Sequence, residues 1–310
     1  MMRSLLFSAF ALAFPLSIAG QGTGTPRPAI TGISHVTFYA DNLASSKRFY
    51  TSVLGWVQVP PGPAQSGVRF YANHAQYIQL VSPPRPDMAN RFDSVGFSTS
   101  DAEGLRTYLA VHGIKVPKAV MIETDGSKSF VAADPEGNKV EFSQPGSHGP
   151  DAPQTTLPQI SNHIIHAGFV AHDRAALDGF YKDLLGFHLY WQGGSQPGHI
   201  DWVMMQVPEG TDWLEYMLYL PSDPSRGQLA SANHFAPGVD DIRQLDKNLR
   251  AKGWTPSSNE RPPLLGLDGK WQLDLFDPDG TRVEFMEFLP TKDPCCSAYT
   301  GPQPSASPAW

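Results

Sequence analysis

The chain has 310 residues, 41% of them hydrophobic, enough to bury two ordinary cores and to favour two domains over one. A net charge of −7 without Lys/Arg runs argues against a nucleic-acid partner, because phosphate binding depends on clustered positive charge. A small-molecule substrate is the expected partner.

Residues 1–19 read as a secretory signal peptide. Met1-Met2-Arg3 gives a positive start, Ser4 to Ile18 is an apolar run broken by Pro15, and Ser17-Ile18-Ala19 has the small-x-small form of a cleavage site. The run is shorter than the ~20 residues that span a bilayer, so the mature chain is expected to be secreted or periplasmic, with no membrane contact after cleavage. Thr23 to Pro28 reads as a disordered lead-in.

From there the chain repeats itself. Ser34-His35-Val36-Thr37-Phe38, Phe49-Tyr50 and Leu54-Gly55-Trp56 lie over Ile165-His166-Ala167-Gly168-Phe169, Phe180-Tyr181 and Leu185-Gly186-Phe187 without a gap, at an offset of 166 − 35 = 131. At the far end of each copy, Asp134-Pro135-Glu136-Gly137 with Val140-Glu141-Phe142 answers Asp277-Pro278-Asp279-Gly280 with Val283-Glu284-Phe285. Each half divides again: Asp173, Leu177 and Gly186 follow His166 much as Asp241, Leu245 and Gly253 follow His234. The pattern predicts a strand, then a helix capped by Asp173 or Asp241, then three short strands. In the Asp173 helix, Leu177, Phe180, Tyr181, Leu184 and Leu185 form one apolar stripe at α-helical spacing, and Gly186 suits the left-handed position that ends it. Four such units start near Ser34, Ser94, Ile165 and Asn233. They give a first domain over 30–145, a Pro/Gly/Ser/Thr-rich linker over 146–159, a second domain over 160–290 and a disordered tail over 291–310. The two cysteines, Cys295 and Cys296, fall in that tail and read as incidental, with a vicinal or intermolecular disulfide as the sharper alternative.

Paired strand-helix-three-strand units with a His on the first strand and a Glu on the last resemble the vicinal oxygen chelate superfamily, which includes glyoxalase I, extradiol dioxygenases and bleomycin-resistance proteins. The resemblance covers about residues 30 to 290. It implies an α+β fold of four βαβββ units forming two tandem glyoxalase-like half-open barrels, each able to hold a metal inside. The superfamily takes one ligand from the first and last strand of each unit, and in the second domain those positions carry His166, Glu215, His234 and Glu284. Two imidazoles and two carboxylates suit one divalent ion: Zn²⁺, Ni²⁺, Mn²⁺ or Fe²⁺. Glu215 carries a register risk, since a one-residue slip on its strand turns it outward. In the first domain His35 and Glu141 remain, but Gln79 and Ser94 fill the other places and read as a degenerate site.

The remaining histidines read as ordinary polar residues, with His163 on the opposite face from His166 and His199 in a loop within reach of a pocket mouth. Parity places Trp213, Met217 and Tyr219 with Glu215, and Arg282, Met286 and Phe288 with Glu284. Arg282 reads as an exposed strand arginine, with fixing the carboxylate or holding an anionic substrate as the alternatives.

The resemblance implies first a metal-dependent lyase or isomerase like glyoxalase I, acting on a small vicinal-oxygen substrate through a metal-stabilised enediolate, with Glu284 as base and Glu215 as ligand or second base. An extradiol-type dioxygenase using His166, His234 and Glu284 with Fe²⁺ is the alternative; against it, Gly269-Lys270-Trp271-Gln272 stands where that group has its active-site His and Tyr. A non-catalytic ligand-binding protein of the bleomycin-resistance type is the third reading. A homodimer is compatible with each.

Overall fold

The computed structural model describes residues 26–59, 67–146, 159–255 and 261–307. They build two eight-stranded mixed sheets with the same topology. In the first, β1 (Ile30–Tyr39) and β5 (Phe92–Thr99) lie antiparallel at the centre, β4 (Tyr77–Val81) runs parallel beside β1, and β8 (Lys139–Gln144) runs parallel beside β5. The outer strands are β3 (Val68–Tyr71) with β2 (Val57–Val59), and β7 (Lys128–Ala133) with β6 (Met121–Ile122). The second sheet repeats this with β9 (Ile164–Val170) and β13 (His234–Val239) central, β12 (Trp213–Met217) beside β9 and β16 (Arg282–Glu287) beside β13. β11 (Trp202–Gln206) and β10 (His188–Gly193) close one side; β15 (Trp271–Phe276) and β14 (Leu264–Leu265) close the other. Each sheet is thus built from its own half of the chain, and each curls into a half-open barrel of the expected α+β kind.

Helices α1 (Leu43–Arg48), α2 (Ala102–Val111), α3 (Arg174–Asp178) and α5 (Ile242–Ala251) follow the first strand of each unit. The expected caps form: Asp173 accepts from Ala176 N and Asp241 from Gln244 N. The α3 stripe departs from α-helical spacing because the chain continues as a π-helical turn over Gly179–Leu184. Leu177, Phe180, Tyr181 and Leu185 are still buried, while Leu184 is only partly so. One helix was not expected, α4 (Arg226–Ala232), whose Ser225 and Gln228 make a reciprocal capping box.

The two repeated motifs meet across the domain boundary. Asp277 Oδ1 closes its own turn by accepting from Asp279 N and Thr281 N, both at 2.9 Å, and its Oδ2 accepts from Tyr50 OH of the first domain at 3.1 Å. Asp134 does the same, accepting from Glu136 N and Asn138 N at 2.9 Å and from Tyr181 OH of the second domain at 3.2 Å. Gly137 and Gly280 hold φ of 86° and 89° in these turns, a region L side chains avoid. Between these bridges one apolar core runs through both halves, with Phe235 against Phe38, Tyr50 and Trp56, and Phe97 against Phe187.

The disordered tail is corrected for residues 291–307, which lie along the second barrel. Thr291 N donates to Gly269 O and Cys295 N to Leu267 O at 2.8 Å, Trp191 Nε1 donates to Cys295 O, and Tyr299 packs on Tyr190 with centroids 4.7 Å apart. Backbone donors and acceptors on the barrel rim, absent from any sequence period, hold it there. Cys295 and Cys296 form a vicinal disulfide within this segment, so the incidental reading gives way to the alternative. The signal segment 1–19 and linker residues 147–158 lie outside the described residues. Among those described, no helix is long and apolar enough to cross a membrane.

Candidate metal centre

The four residues assigned by resemblance converge inside the second barrel. One ligand atom from each of His166, Glu215, His234 and Glu284 lies within 4.8 Å of all the others. His166 and His234 come from the antiparallel centre, β9 and β13, while Glu215 and Glu284 come from the parallel strands flanking them. The two Nε2 atoms are 3.0 Å apart; Glu284 Oε2 sits 2.9 Å from His234 Nε2 and 3.3 Å from His166 Nε2. Glu215 Oε2 is 3.3 Å from His234 Nε2 and 3.8 Å from His166 Nε2. Ligands at about 2.1 Å from one ion, at tetrahedral to octahedral angles, stand roughly 3.0–3.5 Å apart. Glu215 is 5% exposed, so its strand keeps the inward register.

The surroundings fix the rings. His234 Nδ1 is fixed from two sides, 2.8 Å from the Ala232 carbonyl and 3.0 Å from Arg282 Nη2, while Nε2 faces the cluster. His166 Nδ1 has no hydrogen-bond partner among the described residues; its ring is held instead by stacking on Trp213, centroids 4.7 Å apart. Gly168 lets the His234 ring cross β9, because a Cβ there would stand 2.0 Å from His234 Cε1. Burial pushes His166 down, toward the neutral form a ligand needs. Burial also pushes Glu284 up, but the Arg282 guanidinium and hydrogen bonds from both histidines outweigh it and hold the carboxyl well below its usual range. Arg282 is therefore no exposed strand residue: it is 11% exposed and lies 3.5 Å from Glu284 and 3.4 Å from Asp274.

Two carboxylates packed against two imidazoles this closely need protons or a cation between them. One dication balances Glu215 and Glu284, leaving Arg282 to balance Asp274, so the donor set fits a divalent ion in charge, type and spacing. Beside it opens a cavity of about 410 Å³ walled by Trp202, Met217, Tyr219, Leu265, Asp268 and Arg282, with Glu215 and Glu284 at its base. Met217, Tyr219 and Arg282 were legible from strand parity; Asp268 and Asp274, on or next to β15, carried no such signal. His199 does not line this cavity but a cleft beside the disulfide.

The family model described as Glyoxalase/Bleomycin resistance protein/Dioxygenase superfamily matches residues 32–142 and 162–285. The chain belongs to this superfamily. No curated protein matches it in sequence. Among solved structures, the Mn(II)-bound glyoxalase from Novosphingobium aromaticivorans is 20% identical, with 84% of this chain and 83% of that one covered at a TM-score of 0.60. Catechol 2,3-dioxygenase is 15% identical, with 88% and 90% covered and a TM-score of 0.62. Homoprotocatechuate 2,3-dioxygenase from Arthrobacter globiformis is 18% identical, with 85% and 81% covered and a TM-score of 0.63. At these identities the likeness shows the superfamily's fold alone.

The first superfamily domain keeps the frame with two of the four donors, His35 and Glu141. Thr37 pairs with Gln79 and Ser94 just as Gly168 pairs with Glu215 and His234, so Gln79 and Ser94 occupy the Glu215 and His234 places. Gln79 Oε1 accepts from Arg69 Nε at 2.9 Å, and His35 Nε2 lies 3.4 Å from Glu141 Oε2. Burial pushes Glu141 up, but the His35 charge and hydrogen bond carry it down to about 2. A carboxyl whose folded pKa is depressed stabilises the fold above its unfolded value, and that stabilisation is lost as pH falls from about 4.5 to about 2. The loss amounts to about 3 kcal/mol. Urea unfolding at stepped pH should therefore show wild type losing stability across this window more steeply than Glu141→Gln, and equal slopes would refute the pairing.

Proposed function

We propose that the second barrel holds one divalent ion through His166, Glu215, His234 and Glu284 and works as a lyase or isomerase on a small substrate with two vicinal oxygens. The observation that carries this reading is the second carboxylate: Glu215 lies 3.3 Å from His234 Nε2, within the same cluster as the other three groups. Four protein donors leave a six-coordinate ion two further places, enough for two substrate oxygens, whereas a dioxygenase must also admit O₂. When bound, the ion supplies a Lewis acid that acidifies the C–H next to the chelated oxygens. Glu215 and Glu284 keep the centre neutral, Trp202 and Met217 shield the substrate from water, and Arg282 anchors the Glu284 carboxylate. The resemblance gives Glu284 the base role, with Glu215 as ligand or second base. The signal-like start and a disulfide further support an extracytoplasmic setting, where glutathione adducts are scarce, so the substrate is taken to be a different vicinal-oxygen compound.

Elemental analysis and oxygen uptake test this together. About one ion per chain, weakened by Glu215→Ala, and no O₂ consumption when the iron(II)-loaded protein meets catechol are expected. Iron indifferent to Glu215→Ala with catechol-dependent O₂ uptake would instead establish the extradiol dioxygenase. A chain that takes up no metal would leave the ligand-binding reading.

A further inference from the structure

We propose that the first barrel is a binding site of its own, separate from the second-barrel centre, in which Arg69 receives the carboxylate of a small organic acid. In the second barrel β11 sets Met204 opposite Glu215; in the first, β3 sets Arg69 opposite Gln79. At these two matched places one barrel carries a thioether and a carboxylate, the other a guanidinium and an amide. The sign of the interior charge is reversed, and so is the sign of the ligand it suits.

The Arg69 guanidinium is half-buried among neutral neighbours. Its Nε donates to Gln79 Oε1 at 2.9 Å, its central carbon stands 4.5 Å from the Tyr77 ring centroid, and the Tyr71 hydroxyl lies beside it. Among the described residues, no carboxylate oxygen comes within 4.0 Å of it. Glu141, on the same wall, is engaged elsewhere: His35 Nε2 lies 3.4 Å from its Oε2, and Ser143 Oγ donates to its Oε1 at 3.4 Å. His35 and Glu141 balance each other, which leaves Arg69 as an unmatched cation of the interior. A charge withdrawn from water without a counter-charge is costly, so a monoanion that reaches the guanidinium is held strongly.

The space beside Arg69 is large enough for such a ligand. A cavity of about 310 Å³ is walled by Arg69, Tyr71, Tyr77, Ser98, Ser129 and Ser143, and a second of about 350 Å³ shares Arg69 and Glu141 with it. Small-molecule pockets start at roughly 300 Å³. The guanidinium fork matches the two oxygens of a carboxylate, the serine hydroxyls donate to further oxygens, and the tyrosine rings offer a flat wall to the carbon skeleton. Lys128, at the rim, forms no ion pair among the described residues and adds to the attraction. The rim carboxylates Glu123 and Asp125 lie in the turn between β6 and β7, and Asp125 already accepts from Ser127 N at 2.9 Å and Ser127 Oγ at 2.7 Å.

The test is a fluorine NMR titration of the full chain, with and without added zinc, using 4-fluorobenzoate and its neutral isostere 4-fluorobenzamide. Wild type should bind the acid in both conditions and the amide at least about 10-fold more weakly. Arg69→Met installs the residue of the second barrel and should weaken the acid by at least about 10-fold, with near-UV circular dichroism and zinc content unchanged. Gln79→Glu keeps the arginine and gives it a carboxylate of its own, so it should exclude the acid too, which guards against an Arg69 variant that fails to fold. Glu215→Ala, in the other barrel, should leave acid binding as it is. Acid binding that needs zinc, falls with Glu215→Ala and survives both first-barrel substitutions would place the carboxylate on the second-barrel ion and overturn the proposal. Equal affinity for acid and amide, or none for either, would overturn it as well.

Discussion

Replacing His166 with alanine should cost the second barrel its ion, lowering zinc or manganese affinity by at least about 100-fold in calorimetric titration while near-UV circular dichroism stays native. His166 Nε2 stands within 3.0–3.8 Å of the other three donors, so its removal opens the cluster on every side. The companion variant is Gly168→Ala, which deletes no donor. Its added methyl would stand 2.0 Å from His234 Cε1, and since the Ala232 carbonyl holds the far side of the ring, the imidazole must swing out of the cluster. Affinity should fall about 10- to 100-fold, the range seen when a ligand is misoriented. The chain contains its own control: in the first barrel the Gly168 place is Thr37, and the residue opposite is Ser94, too short to cross. Full metal occupancy in Gly168→Ala would show that His234 does not bind in this orientation.

The largest effect on stability is expected from Phe235→Ala, about 3–5 kcal/mol in urea unfolding. Phe235 follows His234 on β13 and so points to the opposite face, where its ring centroid lies 5.9 Å from Phe38, 6.3 Å from Tyr50 and 5.8 Å from Trp56. All three partners belong to the first domain, and the residue is wholly buried. The truncation should also separate the unfolding of the two halves, visible as fluorescence and far-UV transitions that no longer coincide. A loss under about 1 kcal/mol, with coincident transitions, would mean that the halves are stable without this contact.

The sequence carried the architecture because the repeat is written in residues with hard local roles. Asp173 and Asp241 cap helices, Gly186 turns the chain at φ 79°, and strand alternation sends His166 and Glu215 inward. What stayed hidden depends on long-range backbone pairing. The π-helical turn keeps α-type apolar residues in a wider winding. The tail, polar and rich in Pro and Ser, is held by donors and acceptors on a barrel rim that no periodicity announces. Arg282 has the look of any outward strand cation until Asp274 and Glu284 stand on either side of it. The Ser225-x-x-Gln228 signature of α4 is legible in the sequence, but it lies in a stretch between strands where the repeat calls for no helix.

Tyr50 and Asp134 give the first domain a structural role that does not depend on its own interior. Each completes a bridge whose other half, Asp277 or Tyr181, belongs to its sister. Its interior carries Gln79 and Ser94 at the Glu215 and His234 places, while its flank is bound to the half that carries all four groups. The tandem is therefore an indivisible inheritance: cutting it at the linker would leave each fragment with a buried hydroxyl and a buried carboxylate bereft of their counterparts.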